Sequence, residues 1–175
     1  MQIKLDSRLQ AAADLVIPGQ PMADIGTDHG LLPAYLISRG ICPFAIAADI
    51  SALSCRKAAA LLKAYHLEEH TSVRQGNGLS VLSPGEATSV VICGMGGMLM
   101  LEMLTASEKL LSSVKRLVLQ PQKDIPAVRL WLAIHGWCIR QEVMCRERSF
   151  YYTLLSAERT SALFSGLASV PAKRG

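Results

Sequence analysis

The chain has 175 residues, half of them apolar and 18% charged, with a net charge of only +4; that suffices for one domain with its own core and excludes a disordered or low-complexity polypeptide. No apolar run approaches the roughly 18 to 20 residues that span a bilayer, and Met1-Gln2-Ile3-Lys4 opens no signal peptide, so a cytoplasmic protein with no membrane partner is expected. The cysteines, Cys42, Cys55, Cys93, Cys138 and Cys145, are odd in number and show no C-x-x-C spacing, so they are expected to be reduced, mostly buried, and part of neither a disulfide framework nor a metal site.

Leu5, Leu9, Ala12, Ala13 and Val16 share one helical stripe over Leu5 to Ile17, and Pro18-Gly19 ends that helix. The short apolar run Met22 to Ile25 predicts a buried strand that stops at Gly26. Leu31 to Arg39 has helical spacing with Pro33 in its first turn and Gly40 at its end. Ala45 to Ile50 predicts a second strand, and Ala52 to Tyr65 an Ala- and Leu-rich helix. Thr71 to Arg74 and Ser89 to Cys93 predict two more strands, each running into a glycine-rich turn, Gln75 to Gly78 and Gly94 to Gly97. A helix from Met98 to about Thr105, a strand at Arg116 to Gln120 and a helix from Ile125 to His135 continue the alternation. Trp137 to Met144 and Ser149 to Ala157, joined by the polar Cys145 to Arg148, break it as an antiparallel hairpin at the sheet edge. After Thr160 there is no periodicity, and a loosely ordered tail is expected.

Strands alternating with helices imply parallel βαβ units, so the fold class is α/β: a Rossmann-like, mostly parallel sheet covered on both faces, with the hairpin added. Ligands of such sheets sit beyond the carboxyl ends of the strands, where strand order reverses. The polar and glycine residues collect at those ends. The first strand offers Asp24, Gly26, Thr27, Asp28 and His29, the second Asp49 and Ile50, the third Gly76, Asn77 and Gly78, and the fourth Gly94, Met95 and Gly96. The D-x-G-x-D-x-G spacing lets the backbone bend and approach a ligand but lacks the G-x-G-x-x-G dinucleotide pattern, which places an NAD enzyme last. Asp49, 25 residues after Asp24, suits the hydroxyls of an adenosine ribose, and Asn77 an adenine edge. Asp28 equally fits a helix cap, Asn77 a turn, and His29 a structural hydrogen bond. Met95, Met98, Met100 and Met103 fit core packing.

The stretches Ser7-Arg8-Leu9, ADIGTDHGLLP, VRQGNGL, ICGMGG and LVLQP, followed by the hairpin, resemble the TrmK family of bacterial tRNA (adenine(22)-N1)-methyltransferases over about residues 1–158. The resemblance implies a class I methyltransferase fold with S-adenosylmethionine as donor and tRNA as partner. It implies that Asp24 and Gly26 to His29 surround the donor's methionine part, that Asp49 and Ile50 hold and pack its adenosine, that Gly76 to Gly78 contact its adenine, and that Gly94 to Gly97 line the passage to the acceptor. Relatives usually read G-D-G at Gly76-Asn77-Gly78 and Q-P-N at Gln120-Pro121-Gln122, and usually carry a further helical C-terminal domain. The expected organisation is therefore a methyltransferase domain over 1–158 and a short tail over 159–175, without that helical domain, in a monomer.

An adenine N1 lone pair needs no obligatory general base, so Asp28 and His29 are the expected catalytic residues, with Asp28 accepting from the target's N6 amino group. Charge is uneven: residues 1–108 hold seven Lys and Arg against ten Asp and Glu, and residues 109–175 eleven against four. Lys115, Arg116, Lys123, Arg129, Arg146 and Arg148, with Arg8, are the candidates for tRNA phosphates, and salt-sensitive binding is expected of them. The rival expectations are a methyltransferase with another acceptor and a non-catalytic RNA-binding module.

Overall fold

A computed structural model describes residues 3–160; the tail expected after Thr160 lies almost wholly outside the described residues. The elements in chain order are α1 (Ser7–Leu15), β1 (Met22–Ile25), α2 (Leu31–Ser38), β2 (Ala45–Asp49), α3 (Ala52–Ala64), β3 (Thr71–Gln75), β4 (Ser89–Met95), α4 (Gly97–Ala106), α5 (Glu108–Leu111), β5 (Arg116–Pro121), α6 (Ile125–Ile134), β6 (Trp137–Glu147) and β7 (Phe150–Arg159). Single 3-10 turns at Glu68–His70 and Gly78–Val81 flank β3. The seven strands form one sheet in the order β3-β2-β1-β4-β5-β7-β6. Strands β1 to β5 pair in parallel, and β7 runs antiparallel between β5 and β6.

Period-2 alternation along the strands splits the core in two. Ala23, Ile25, Ile46, Val90 and Ile92 face Met100 and Leu104 of α4 and Val128 and Leu132 of α6. Met22, Ala45, Ala47, Val91 and Val118 face Ala12 and Leu15 of α1, Leu32 and Leu36 of α2 and Leu62 of α3. Strands buried on both faces read as unbroken apolar runs, which is why they were visible in the sequence. Two helices start on side-chain caps: Asp6 accepts from the Leu9 amide at 2.7 Å and Ser51 from the Ser54 amide at 3.3 Å.

The hairpin departs from expectation in its loop. Pairing continues to Glu147↔Phe150, so Cys145, Arg146 and Glu147 belong to β6. Only Arg148, at φ 55°, and Ser149 make the turn. The polar residues looked like a loop because this end of the ribbon faces water and α1 rather than the core. The cysteines are all free, but only Cys42 and Cys55 are buried; Cys93, Cys138 and Cys145 are half-buried. Among the described residues no helix is long and apolar enough to cross a membrane.

Strand order reverses between β1 and β4, since the chain runs outward through β2 and β3 and then returns to build β4 and β5 on the other side. The connections that leave the carboxyl ends of β1 and β4 therefore part in opposite directions and leave a crevice above them.

Candidate active site

The turn after β1 is built by its own backbone. The Gly26 and Thr27 amides both donate to the Ala48 carbonyl, at 2.8 and 2.9 Å, which swings the chain away from β1. Gly26 has φ 79°, a left-handed conformation that favours glycine, and the Met95 methyl fills the space a Cβ would take, 2.2 Å away. Asp28 sits at φ 50°, in the left-handed region, and Gly30 takes the cap position of α2 with no side-chain cap. The cap role open to Asp28 in the sequence is thus not used. Its carboxylate instead turns outward and accepts from His29 Nδ1 at 2.6 Å, both side chains being more than half exposed.

Two cavities meet at this turn. The first, about 480 Å³, is lined by Asp24, Gly26, Thr27, Asp28 and His29 from the β1 end, by Leu31 and Leu32 of α2, by Cys93 and Gly94 of β4, by Asp6, Arg8 and Leu9 at α1, and by Gln122, Glu147 and Tyr152. The second, about 280 Å³, is lined by Asp49 and Ile50, by Gly76, Asn77 and Gly78, by Met95, and by Leu99 and Met103 of α4. Gly26, Cys93 and Gly94 border both. Of the residues expected from the sequence, Gly96 and Gly97 are outside both linings, at the start of α4 against Lys123 and Asp124.

In the first cavity Asp24 is the buried acid. Its carboxylate accepts from the Thr27 hydroxyl at 2.7 Å. Burial pushes its pKa up to about 6, opposed by that hydrogen bond and by the Arg8 guanidinium, and assisted by the Asp49 charge. Arg8 was expected on a solvated or RNA-facing helix surface, but only a quarter of its side chain is exposed. It reaches over the Tyr152 ring, 5.9 Å from the centroid, and Nη1 donates to Gln120 Oε1 at 3.4 Å. Gln120 is fully buried; its Oε1 also accepts from the Gly94 amide at 3.0 Å, and its Nε2 has no partner. Gly94, at φ 77°, leaves room for this cluster, since a Cβ there would come within 3.3 Å of Arg8 Nη1.

The second cavity is floored by apolar side chains. Ile50 and Leu99 are exposed at its rim, and Met103 packs where a Cβ on Gly78 would stand, 2.7 Å from Sδ. Asp49 Oδ2 accepts from the Asp28 amide at 3.1 Å and Oδ1 from the Ser51 amide at 2.8 Å. Each oxygen keeps a lone pair for a ligand hydroxyl. Met100 is buried in the core and Met95 and Met103 pack against it while lining the cavity, so core packing holds for these three, whereas Met98 is exposed.

The residues that sequence reading missed are Arg8 as a cavity residue, Gln120, Tyr152, Leu99 and the lining role of Met103. Leu99 and Met103 stand four apart on α4, one face of a helix, and Arg8 is one turn from the buried Ala12. Gln120 carried the plainest signal, an amide ending an otherwise apolar strand.

The site's chemistry is a pair: one chamber with a buried carboxylate and a guanidinium, the latter backed by the buried Gln120 amide, and one apolar slot with a carboxylate and an amide at its rim. An amino-acid zwitterion joined to a nucleoside fits that pair of chambers, and the donor set fits no metal better.

A family model described as a methyltransferase domain matches residues 5–155. The chain is 38% identical over 157 residues to the tRNA (adenine(22)-N(1))-methyltransferase of Bacillus subtilis, covering 90% of this chain and 66% of that protein. The crystal structure of the B. subtilis M1A22 tRNA methyltransferase TrmK superposes with a TM-score of 0.88 at 37% identity, over 91% of this chain and 68% of the other. M. capricolum TrmK in complex with S-adenosyl-homocysteine superposes with a TM-score of 0.82 at 28% identity, over 89% and 69%.

Proposed function

We propose that this chain, which belongs to the TrmK family of methyltransferases, transfers a methyl group from S-adenosylmethionine to N1 of adenine 22 in tRNA. The observation that carries the donor half is the pair of chambers meeting at Gly26 and Gly94 on the strand-order reversal. The acceptor half rests on kinship with relatives of which the chain spans about two thirds.

S-adenosylmethionine supplies a methyl group on a sulfonium sulfur, taken by an acceptor nitrogen in an in-line displacement. Asp24 is assigned the donor's ammonium and Arg8 its carboxylate, opposite charges facing across one chamber. Asp49 is assigned the ribose hydroxyls and Asn77 the adenine edge, with Ile50, Leu99 and Met103 against the adenine faces. Gly26 and Gly94, lacking side chains, keep the passage between chambers open. Most of the rate enhancement is then positional, since the chain need only align the acceptor nitrogen and exclude water.

Asp28 is the candidate catalytic acceptor for the target's N6 amino group, where its carboxylate opposes the positive charge that grows on the ring. His29 donates to that carboxylate and fixes its orientation. Asp28→Asn should lower kcat by about 10²-fold, the scale of one lost electrostatic contact in a transition state, while shifting the S-adenosylhomocysteine Kd little; equal losses in both would make Asp28 a donor-binding residue.

The test of the whole reading is transfer of labelled methyl to unmodified bacterial tRNA, with nucleoside analysis and an adenine-22 substitution as control. The expected product is 1-methyladenosine, lost with the substitution. Donor binding without transfer would leave a methyltransferase with another acceptor.

A further inference from the structure

A third cavity, about 320 Å³, opens beside the first and shares Gln122 and Tyr152 with it. Pro121, Ile125, Phe150, Tyr151 and Thr153 complete its wall. Phe150 and Tyr151, at the start of β7, are about two-thirds exposed although both are large aromatics. They stand at the tip of the hairpin, beyond the carboxyl end of β5, which places them on the same side of the sheet as the two chambers. Arg146 lies over the Tyr151 ring, 5.9 Å from its centroid, and its Nε donates to the Arg148 carbonyl at 3.0 Å, so a guanidinium is held against one of the two aromatics. Lys123 is exposed in the turn that follows β5.

We propose that this cavity is a second nucleobase site, which takes the unstacked base of a nucleotide adjoining the target adenine in tRNA. The inference rests on the tRNA reading above and goes beyond it by assigning an occupant to a surface outside the methyl-transfer chamber. Drawing one base out of an RNA helix exposes the π-faces of its neighbours, and a protein that supplies replacement stacking lowers the cost of extraction. Aromatic rings offer such stacking to any base, while arginines beside them meet the adjoining phosphates. A cavity that sets aromatic rings beside polar groups, has a guanidinium at its edge and joins the first chamber through two shared residues suits a base on a continuous strand better than an apolar protein segment, which has no use for the polar wall or the flanking positive charge.

The experiment pairs protein and substrate changes. Methyl transfer by the full chain and by Phe150→Ala/Tyr151→Ala is measured on intact tRNA and on tRNAs carrying an abasic nucleotide immediately before or after the target adenine, with S-adenosylhomocysteine binding as a check on folding. Removing either side of a stacking contact should lower kcat/KM about tenfold. For one of the two abasic tRNAs the losses should not add, so that the double variant handles intact and abasic RNA alike. Tyr151→Trp, which keeps a ring, should retain activity. Additive losses on both abasic tRNAs, or a double variant as fast as the unsubstituted chain, would overturn the site. A double variant that loses kcat alone, with no abasic sensitivity in the unsubstituted chain, would make this the pocket of the target base itself and also overturn it. No transfer by the unsubstituted chain to intact tRNA would instead remove the parent reading, and the second site with it.

Discussion

Arg8 and Asp24 show how two side chains 16 positions apart become one site. Asp24 stands out in the sequence as a carboxylate within an apolar strand, two residues before a glycine turn, and it is buried there. Arg8 was not legible as a cavity residue, because a helix arginine beside a buried stripe looks the same whether it snorkels to water or turns along the sheet edge. Its proposed carboxylate contact has a direct check: Arg8→Ala should weaken S-adenosylmethionine binding by about tenfold or more, the scale of a charge-assisted hydrogen bond. The same variant should bind decarboxylated S-adenosylmethionine as the unsubstituted chain does. Equal weakening toward both ligands would assign Arg8 to packing. Asp24 adds a pH signature. Its folded pKa, about 6, stands above its ordinary 3.8, so the folded chain holds the proton more tightly than the unfolded one. Stability from this group is therefore intact below about pH 4 and is lost as pH rises through about 6, by up to about 3 kcal/mol. Asp24→Asn should gain on the unsubstituted chain in Tm as pH rises across that window. Donor affinity should move the opposite way, rising through about pH 6 as the carboxylate forms to meet the ammonium, and should be weak and flat in the variant.

At the scale of elements, the parallel strands and longer helices announced themselves, whereas α5 and the 3-10 turns are single turns too short to show a period. The contact between α1 and the hairpin was out of reach altogether, because it joins residues 140 apart. The Ser7 amide donates to Glu147 Oε2 at 2.9 Å, the Ser7 hydroxyl donates to the same oxygen, and Arg8 lies over Tyr152 of β7. These hydrogen bonds hold the Glu147 carboxyl below its ordinary range. Because α1 carries Arg8, the hairpin positions the group proposed to bind the donor's carboxylate without itself containing it. Ser7→Ala should therefore cost about 1 kcal/mol of stability, the net worth of a hydrogen bond, yet raise the donor Kd by several fold. A stability loss with an unchanged Kd would show that α1 is held in place by its buried stripe alone.

Across the whole molecule, the basic second half of the sequence does not become one basic face. Lys115 and Arg116 start β5 and so lie at the amino ends of the parallel strands, opposite the chambers. Arg116 donates to Glu158 and to the Leu15 carbonyl, and Arg129 pairs with Glu142. Chain order set the charge count, but strand direction decides which charges reach the site, and direction cannot be read from a count. Of the six second-half cations expected at phosphates beside Arg8, Lys123, Arg146 and Arg148 remain on the side where a target base would enter. Each phosphate contact contributes about 0.7 to the slope of log affinity against log salt for unpaired RNA. Lys115→Ala should accordingly leave the salt dependence of tRNA binding unchanged, whereas Arg146→Ala and Arg148→Ala should each flatten it by roughly that amount. If Lys115→Ala flattened the slope as much as Arg146→Ala, the RNA would have to wrap around the sheet rather than approach its carboxyl end, and the geometry of entry inferred from the chambers would fail.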